Sequence, residues 1–463
     1  MNIHIKSIVS AFAFSFLLYS KSVGINLFLV AIIVVALLTI FQEKPKMPSV
    51  YAFAYIFTAI MVFFDPTNFK VFVHLMAFLL YIGKNIAPKN SLYLNWFVGL
   101  MNMIIASLYH LNSYFKNPEE QKKSLSPRIL NSIKGIIAAL LLLVVFSLMY
   151  KNANPVFGNL LAQINFDFLS FPWLLFTLVG YFIFLHILRP YNPEKLLAID
   201  CTQKNELKKP ELPFSAAYQS KLDGEHILGS IVFGALNVLL LIFLVTDLMY
   251  LLQSHAISYS EYSKSVHHGI YALLFSIVCA IAIILYFFRG DLNFIENNKH
   301  IKTLCYSWIV LNLILVVFTW YKNYEYVAAL GLTYKRIGVF IYLILVIMGL
   351  CTTYVKVAQL KNFIYLVRTN IALLFVFLFF SSVIPWDNAI TAYNLKQITT
   401  PDINYLLNLE DTNSFQLQEY LNQNKNGNIL KFEEKISKKN ANFVKDLSQK
   451  KWQEYSIYQF IQK

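Results

Sequence analysis

The stretch 25–41, INLFLVAIIVVALLTIF, carries no charge from end to end. A helix rises ~1.5 Å per residue, so a run of this length covers most of a hydrocarbon core ~30 Å thick. The pattern recurs. About twelve runs suit a spanning helix, at 5–20, 24–41, 48–64, 67–83, 91–110, 129–149, 171–188, 228–252, 268–288, 302–321, 334–355 and 362–384. None shows the ten-residue alternation of a barrel strand, and a backbone in lipid must satisfy its hydrogen bonds within the segment. The expected fold class is therefore all-α, a polytopic transmembrane helix bundle with a small helical C-terminal extension.

Composition agrees. The chain is 57% hydrophobic and 14% charged, against ~25% charged in soluble domains. Too few polar groups exist to cover a globular surface, so the implied solvent is the lipid bilayer. The net charge of +14 would suggest nucleic acid in a soluble protein. Here the bases sit in short loops between apolar runs, where anionic headgroups explain them, and no nucleic-acid motif accompanies them. Of four cysteines, Cys279, Cys305 and Cys351 lie in apolar runs and Cys201 in a basic loop, so no disulfide framework is expected. The first run is followed by LLYSKSVG, with no small-x-small cleavage site, and reads as an uncleaved anchor.

The loops 111–128, 189–227, 289–302 and 356–361 hold most bases, whereas the intervening loops hold only Lys151, Lys264, Lys322, Lys335 and Arg336. The basic set is expected on the cytoplasmic side. Residues 1–127 then form N-terminal transmembrane segments, and 128–384 the main bundle with a cytoplasmic loop 189–227. Residues 385–463 form an extracytoplasmic helical tail, with Phe443, Leu447 and Trp452 as docking residues. The start of the chain resists this scheme. With twelve spans, QEKPK and GKNIAPKN would both face outward, so run 5–20 or run 91–110 is expected to lie in the interface or re-enter.

Ionisable groups within spans are costly and mark candidate sites. Asp247, in LIFLVTDLMYLL, lies ~7–8 Å from the outer end of its helix, and Arg368, in YLVRTNIALLF, ~9–10 Å from the inner end of its own. Their levels exclude a direct pair. Arg336 enters at nearly the level of Asp247. Asp247, Arg336, Lys335 and Glu325 are thus read as one charge cluster, against the plainer alternative that the two bases reach for headgroups. Arg368 and His186 suit interfacial positions, and Asn237 and Asn312 suit interhelical hydrogen bonds. In the loop SHAISYSEYSKSVHHG, His255, Glu261, His267 and His268 are weak metal candidates; their spacing matches no known site, a solvated loop with a helix start at His267 is the preferred reading, and no metal is assigned. No Walker A, GxSxG, HExxH or GxGxxG motif is present, so no cofactor or classical hydrolase chemistry is expected.

Residues 227–395 carry VHHGIYALLFSIVCAIAIILYFFRGDLNF, NYEYVAALGLTYKRIGV and PWDNAITAYNL. With NPVFGNL and WQEY more loosely, these resemble a bacterial multi-pass membrane family of unknown function, the domain of unknown function 4173 with its 4153 relatives. The resemblance implies an integral inner-membrane protein and names no reaction. Three functions fit these readings. The first is a non-enzymatic envelope sensor or assembly partner with an envelope protein as partner. The second is a transporter of a small or lipidic solute. The third is an enzyme acting on a lipid-linked substrate through Asp65, Asp167 or Asp247.

Overall fold

A computed structural model describes residues 2–41, 49–104, 106, scattered positions between 131 and 157, 170–210, 214–253, 273, 275–295, 298–424 and 428–461. Among these the structure is helical, apart from one isolated bridge between Glu206 and Lys361. The helices are α1 (Ile3–Leu18), α2 (Ile25–Phe41), α3 (Ser49–Phe64), α4 (Asn68–Ile86), α5 (Leu92–Ile104), α6 (Phe171–Leu188), α7 (Glu194–Thr202) and α8 (Ala216–Gln253). There follow α9 (Phe275–Phe287), α10 (Lys299–Leu330), α11 (Tyr334–Ala358) and α12 (Phe363–Ser381). The tail supplies α13 (Trp386–Gln397), α14 (Ile403–Leu407), α15 (Ser414–Gln423), α16 (Glu433–Gln449) and α17 (Tyr458–Ile461).

Six of these, α4, α6, α8, α10, α11 and α12, are long and apolar enough to cross a membrane, and five more apolar helices are 10–17 residues long. The run 129–149 falls mostly outside the described residues. Large apolar side chains point outward along the bundle, with Ile231, Leu239, Val317 and Phe380 all more than 60% exposed. A belt of this kind exceeds what a protein in water tolerates and suits hydrocarbon.

Two packed groups make the bundle. In one, α1 lies against α6, and α2, α3, α4 and α5 follow in antiparallel order around Val34, Tyr55, Leu80 and Val98. In the other, α8, α10 and α11 pack with α9 around Phe233, Ile284, Ile309 and Leu343. Helix α12 touches both α11 and α5 and closes the gap between them. The α4–α5 contact is exceptionally close: a Cβ on Gly83 would fall 1.9 Å from the Asn95 carbonyl oxygen. Only glycine lets the backbones approach this far.

Helix α5 is described as far as Ile104, with Ala106 helical beyond it. It packs along α4 and is tied to the segment 191–200: Ser91, just before it, donates to Asp200, and Asn102 exchanges hydrogen bonds with the backbone of Tyr191. The expectation that run 5–20 or run 91–110 lies in the interface or re-enters turns partly on residues outside those described.

The tail caps one end of the bundle. Ile25 N–H donates to Tyr455 O at 2.8 Å and Ile457 N–H to Phe63 O at 3.0 Å, so the cap grips the α1–α2 and α3–α4 turns. Its core gathers Ile390, Leu406, Leu417 and Ile436 around Ile337 of α11. Phe443 and Leu447 are buried, but in a cluster within the cap with Tyr458, Phe415 and Ile457 and not against the bundle; Trp452, 49% exposed, rests beside Phe16 of α1. Helix α16 stops at Gln449, and a 3-10 turn covers Trp452–Glu454.

Candidate functional site

Helices α10 and α11 meet in a tight turn at the cap end. Gly331 takes φ +85 there, a left-handed conformation that disfavours a side chain. Thr333 caps α11 by accepting from Arg336 N–H. Arg336 folds back over the same turn, donating from Nη1 to the carbonyls of Leu330 and Gly331, with its guanidinium 4.1 Å from the Tyr326 ring centre. Asn394 of α13 bonds both backbone groups of Leu332. The turn is thereby fastened to the cap.

Between this turn, the α3–α4 turn and the cap lies a cavity of about 640 Å³, within the range of small-molecule sites. Lys335 and Arg336 line it from the bundle, and Asp387, Tyr405 and Glu410 from the cap. Tyr334 OH donates to Asp387 Oδ1 at 2.7 Å, and Tyr334 N–H donates to the Tyr405 hydroxyl at 2.9 Å. Asn68 holds Glu410 Oε1 at 3.1 Å. Below the cavity Asp65 and Lys70 form a buried ion pair at 2.9 Å. Lys439 Nζ donates to the carbonyls of Leu407 and Leu409 and supports the acidic wall from behind.

Burial pushes the Asp387 carboxyl above its ordinary range, and the nearby Asp65 charge adds to this against the Tyr334 hydroxyl and Lys439. Burial and the Asp387 charge likewise push Glu410 up. Two acids on one wall are thus held toward their neutral forms, facing a wall with two bases. Sequence reading missed Asp387 and Glu410 because they lie in the polar tail, outside any span, where a carboxylate attracts no notice.

At the opposite end, Asp200 of α7 is saturated. It accepts from Ser91 N–H at 2.9 Å, Ser91 Oγ at 3.0 Å, Tyr93 OH at 2.9 Å and Arg368 Nη2 at 2.9 Å. Burial alone would raise its pKa, but these donors outweigh it and hold the carboxyl far below the usual range. With its lone pairs occupied, the group ties α5, α7 and α12 together and offers little to a ligand.

The other sequence candidates fall as follows. Asp247 does not join Arg336. It makes a buried ion pair with Lys322, because α10 stays helical to Leu330 and carries Lys322 inside the bundle against α8, while Arg336 is spent on its own turn. Lys335 is exposed and Glu325 half-buried. Arg368 is held by Asp200, the Gln203 carbonyl and Asn205 instead of headgroups. His186 is buried beside Phe182. Asn237 bridges helices, donating to Phe233 O and Leu304 O, whereas Asn312 donates to Trp308 within its own helix. Asp167, His255, Glu261, His267 and His268 lie outside the described residues. Among the described residues no His, Cys, Asp and Glu cluster suits a metal.

Comparison with curated proteins and with solved structures finds no match. A family profile matches residues 9–420, a range that holds every cavity residue and ends within α15. The match is to the 4153 family and not to its 4173 relative. The chain belongs to the family described as domain of unknown function (DUF4153).

Proposed function

We propose that this is a multi-pass inner-membrane protein that senses a small polar ligand on the extracytoplasmic side, without catalysing a reaction. The observation that carries this reading is the shared cavity. One wall belongs to the α10–α11 turn of the bundle and the other to the cap, so a ligand between them biases the position of one against the other. The carboxylates first weighed for catalysis give chemistry less support, since Asp65 and Asp247 are each committed to a buried lysine.

Sidedness belongs to the same proposal. Lys84 and Lys89 lie at the end of α4 away from the cap, where Asn90 donates to Asp200 of the basic loop 189–227. That end is the cytoplasmic one by its bases, and the cap faces outward. Reporters fused within 203–210 and after 461 should fall on opposite sides of the membrane.

Hydrogen exchange tests the sensing itself. Asn408 lines the cavity, and Asn408→Trp would partly fill it. Exchange should change together in 386–410 and in the 326–336 turn. A change confined to the neighbours of residue 408 would reject coupling between the two walls.

A further inference from the structure

The two walls differ in a way that specifies a ligand. Asp387 is 1% exposed and lines the cavity. Its Oδ1 accepts from Tyr334, but its Oδ2 has no hydrogen-bond partner among the described residues. A buried carboxylate oxygen without a donor is expensive, and a ligand that brings a donor removes that cost. Glu410 stands on the same wall with one oxygen on Asn68. A charged donor is favoured here over a neutral one, because two neighbouring acids repel each other as anions and a cation between them reverses the sign of the interaction.

The facing wall has the opposite character. It is the first turn of α11, a helix of 25 residues, whose N-terminal end bears partial positive charge. Lys335 is exposed there and lines the cavity. Arg336 adds charge but is locked onto the turn carbonyls, so Lys335 is the base able to move toward a ligand. Phe69 and Leu409 complete the lining with apolar surface.

We propose that this cavity binds a small zwitterion, its primary ammonium on Asp387 and Glu410 and its anionic group on Lys335 at the start of α11. The assignment rests on the sensing reading above and names its ligand class. The chemistry is that of an amino acid or of an aminoalkyl phosphate, either free in solution or as the headgroup of a lipid.

Calorimetric titration of the full chain in phosphatidylglycerol nanodiscs tests it. The probes are glycine and O-phosphoethanolamine, each compared with ethanolamine and with inorganic phosphate. At least one zwitterion should bind ten-fold or more tighter than either half-molecule. Asp387→Asn should weaken it at least ten-fold. Lys335→Ala should do the same while leaving ethanolamine binding unchanged, which a folding defect would not do. If phosphatidylethanolamine in the disc competes with O-phosphoethanolamine, the source is a lipid headgroup; if it does not, the source is a free solute. Equal binding of a zwitterion and its halves, or no binding, overturns the proposal. If that happens while Asn408→Trp still couples the two walls, the ligand class is wrong and the sensing reading survives.

Discussion

The Tyr334 hydroxyl donates to Asp387 Oδ1 at 2.7 Å, joining the first turn of a bundle helix to the first turn of the cap. Residues 53 positions apart thereby share one polar contact at the mouth of the cavity. Tyr334→Phe removes the donor and leaves Asp387 buried with neither oxygen satisfied. A loss of about 1–3 kcal/mol is expected, localised to the cap. Hydrogen exchange of 386–423 should accelerate while α3 and α4 remain protected.

The acidic wall makes cap docking depend on pH. The folded-state pKa values of Asp387 and Glu410 lie above their ordinary values of 3.8 and 4.5. Below those ordinary values both acids are protonated whether or not the cap is docked, and stability is full. As pH rises toward the raised folded values, the undocked state ionises first, and stability is lost. Glu454, which holds Ser22 N–H, works the other way: burial opposes its ionisation, but the Lys451 and Ser22 amides hold its pKa below 4.5. Its contribution fails only on acidification below that value. Cap-specific exchange should therefore quicken from about pH 4.5 upward, and Asp387→Asn should flatten the slope.

The Asp200 cluster gives a second stability test. Asp200→Ala takes the acceptor from Asn90 Nδ2, Ser91 N–H, Ser91 Oγ and Tyr93 OH, and leaves Arg368 without its carboxylate. The expected cost is about 3 kcal/mol, at the low end for a broken buried pair because Arg368 keeps Gln203 and Asn205. Tyr93→Phe removes one donor and should cost about 1 kcal/mol. Thermal unfolding in detergent separates the two, and equal losses would show that the network acts as one unit.

A double-mutant cycle decides the partner of Asp247. Asp247→Ala and Lys322→Ala should couple by about 1–3 kcal/mol, because each alone leaves a buried charge and together they leave none. Asp247→Ala with Arg336→Ala should be additive within ~0.5 kcal/mol. Coupling to Arg336 and not to Lys322 would contradict the pairing described above.

How much was legible beforehand differs by kind of feature. Asn237 was readable as an interhelical donor, since a polar side chain in a span has few other outlets, and it does bond Leu304 on α10. The level argument separating Asp247 from Arg368 agrees with their different partners. The partners themselves were not readable. Lys322 looked like a loop base because hydropathy falls after residue 321, yet the helix continues to Leu330. Asp200 sat in a polar stretch, and nothing local links it to Arg368, 168 positions away.

The sequence by itself determined that this chain is helical and built for oil, because helix-length apolar runs and scarce charge are properties of each segment alone. Only the tertiary structure decided which lysine neutralises Asp247, and that Asp387 and Glu410 share a cavity with Lys335. Those outcomes depend on how elements tens to hundreds of residues apart pack against one another, and pairwise electrostatics acts over a few ångströms of space, without regard to distance along the chain.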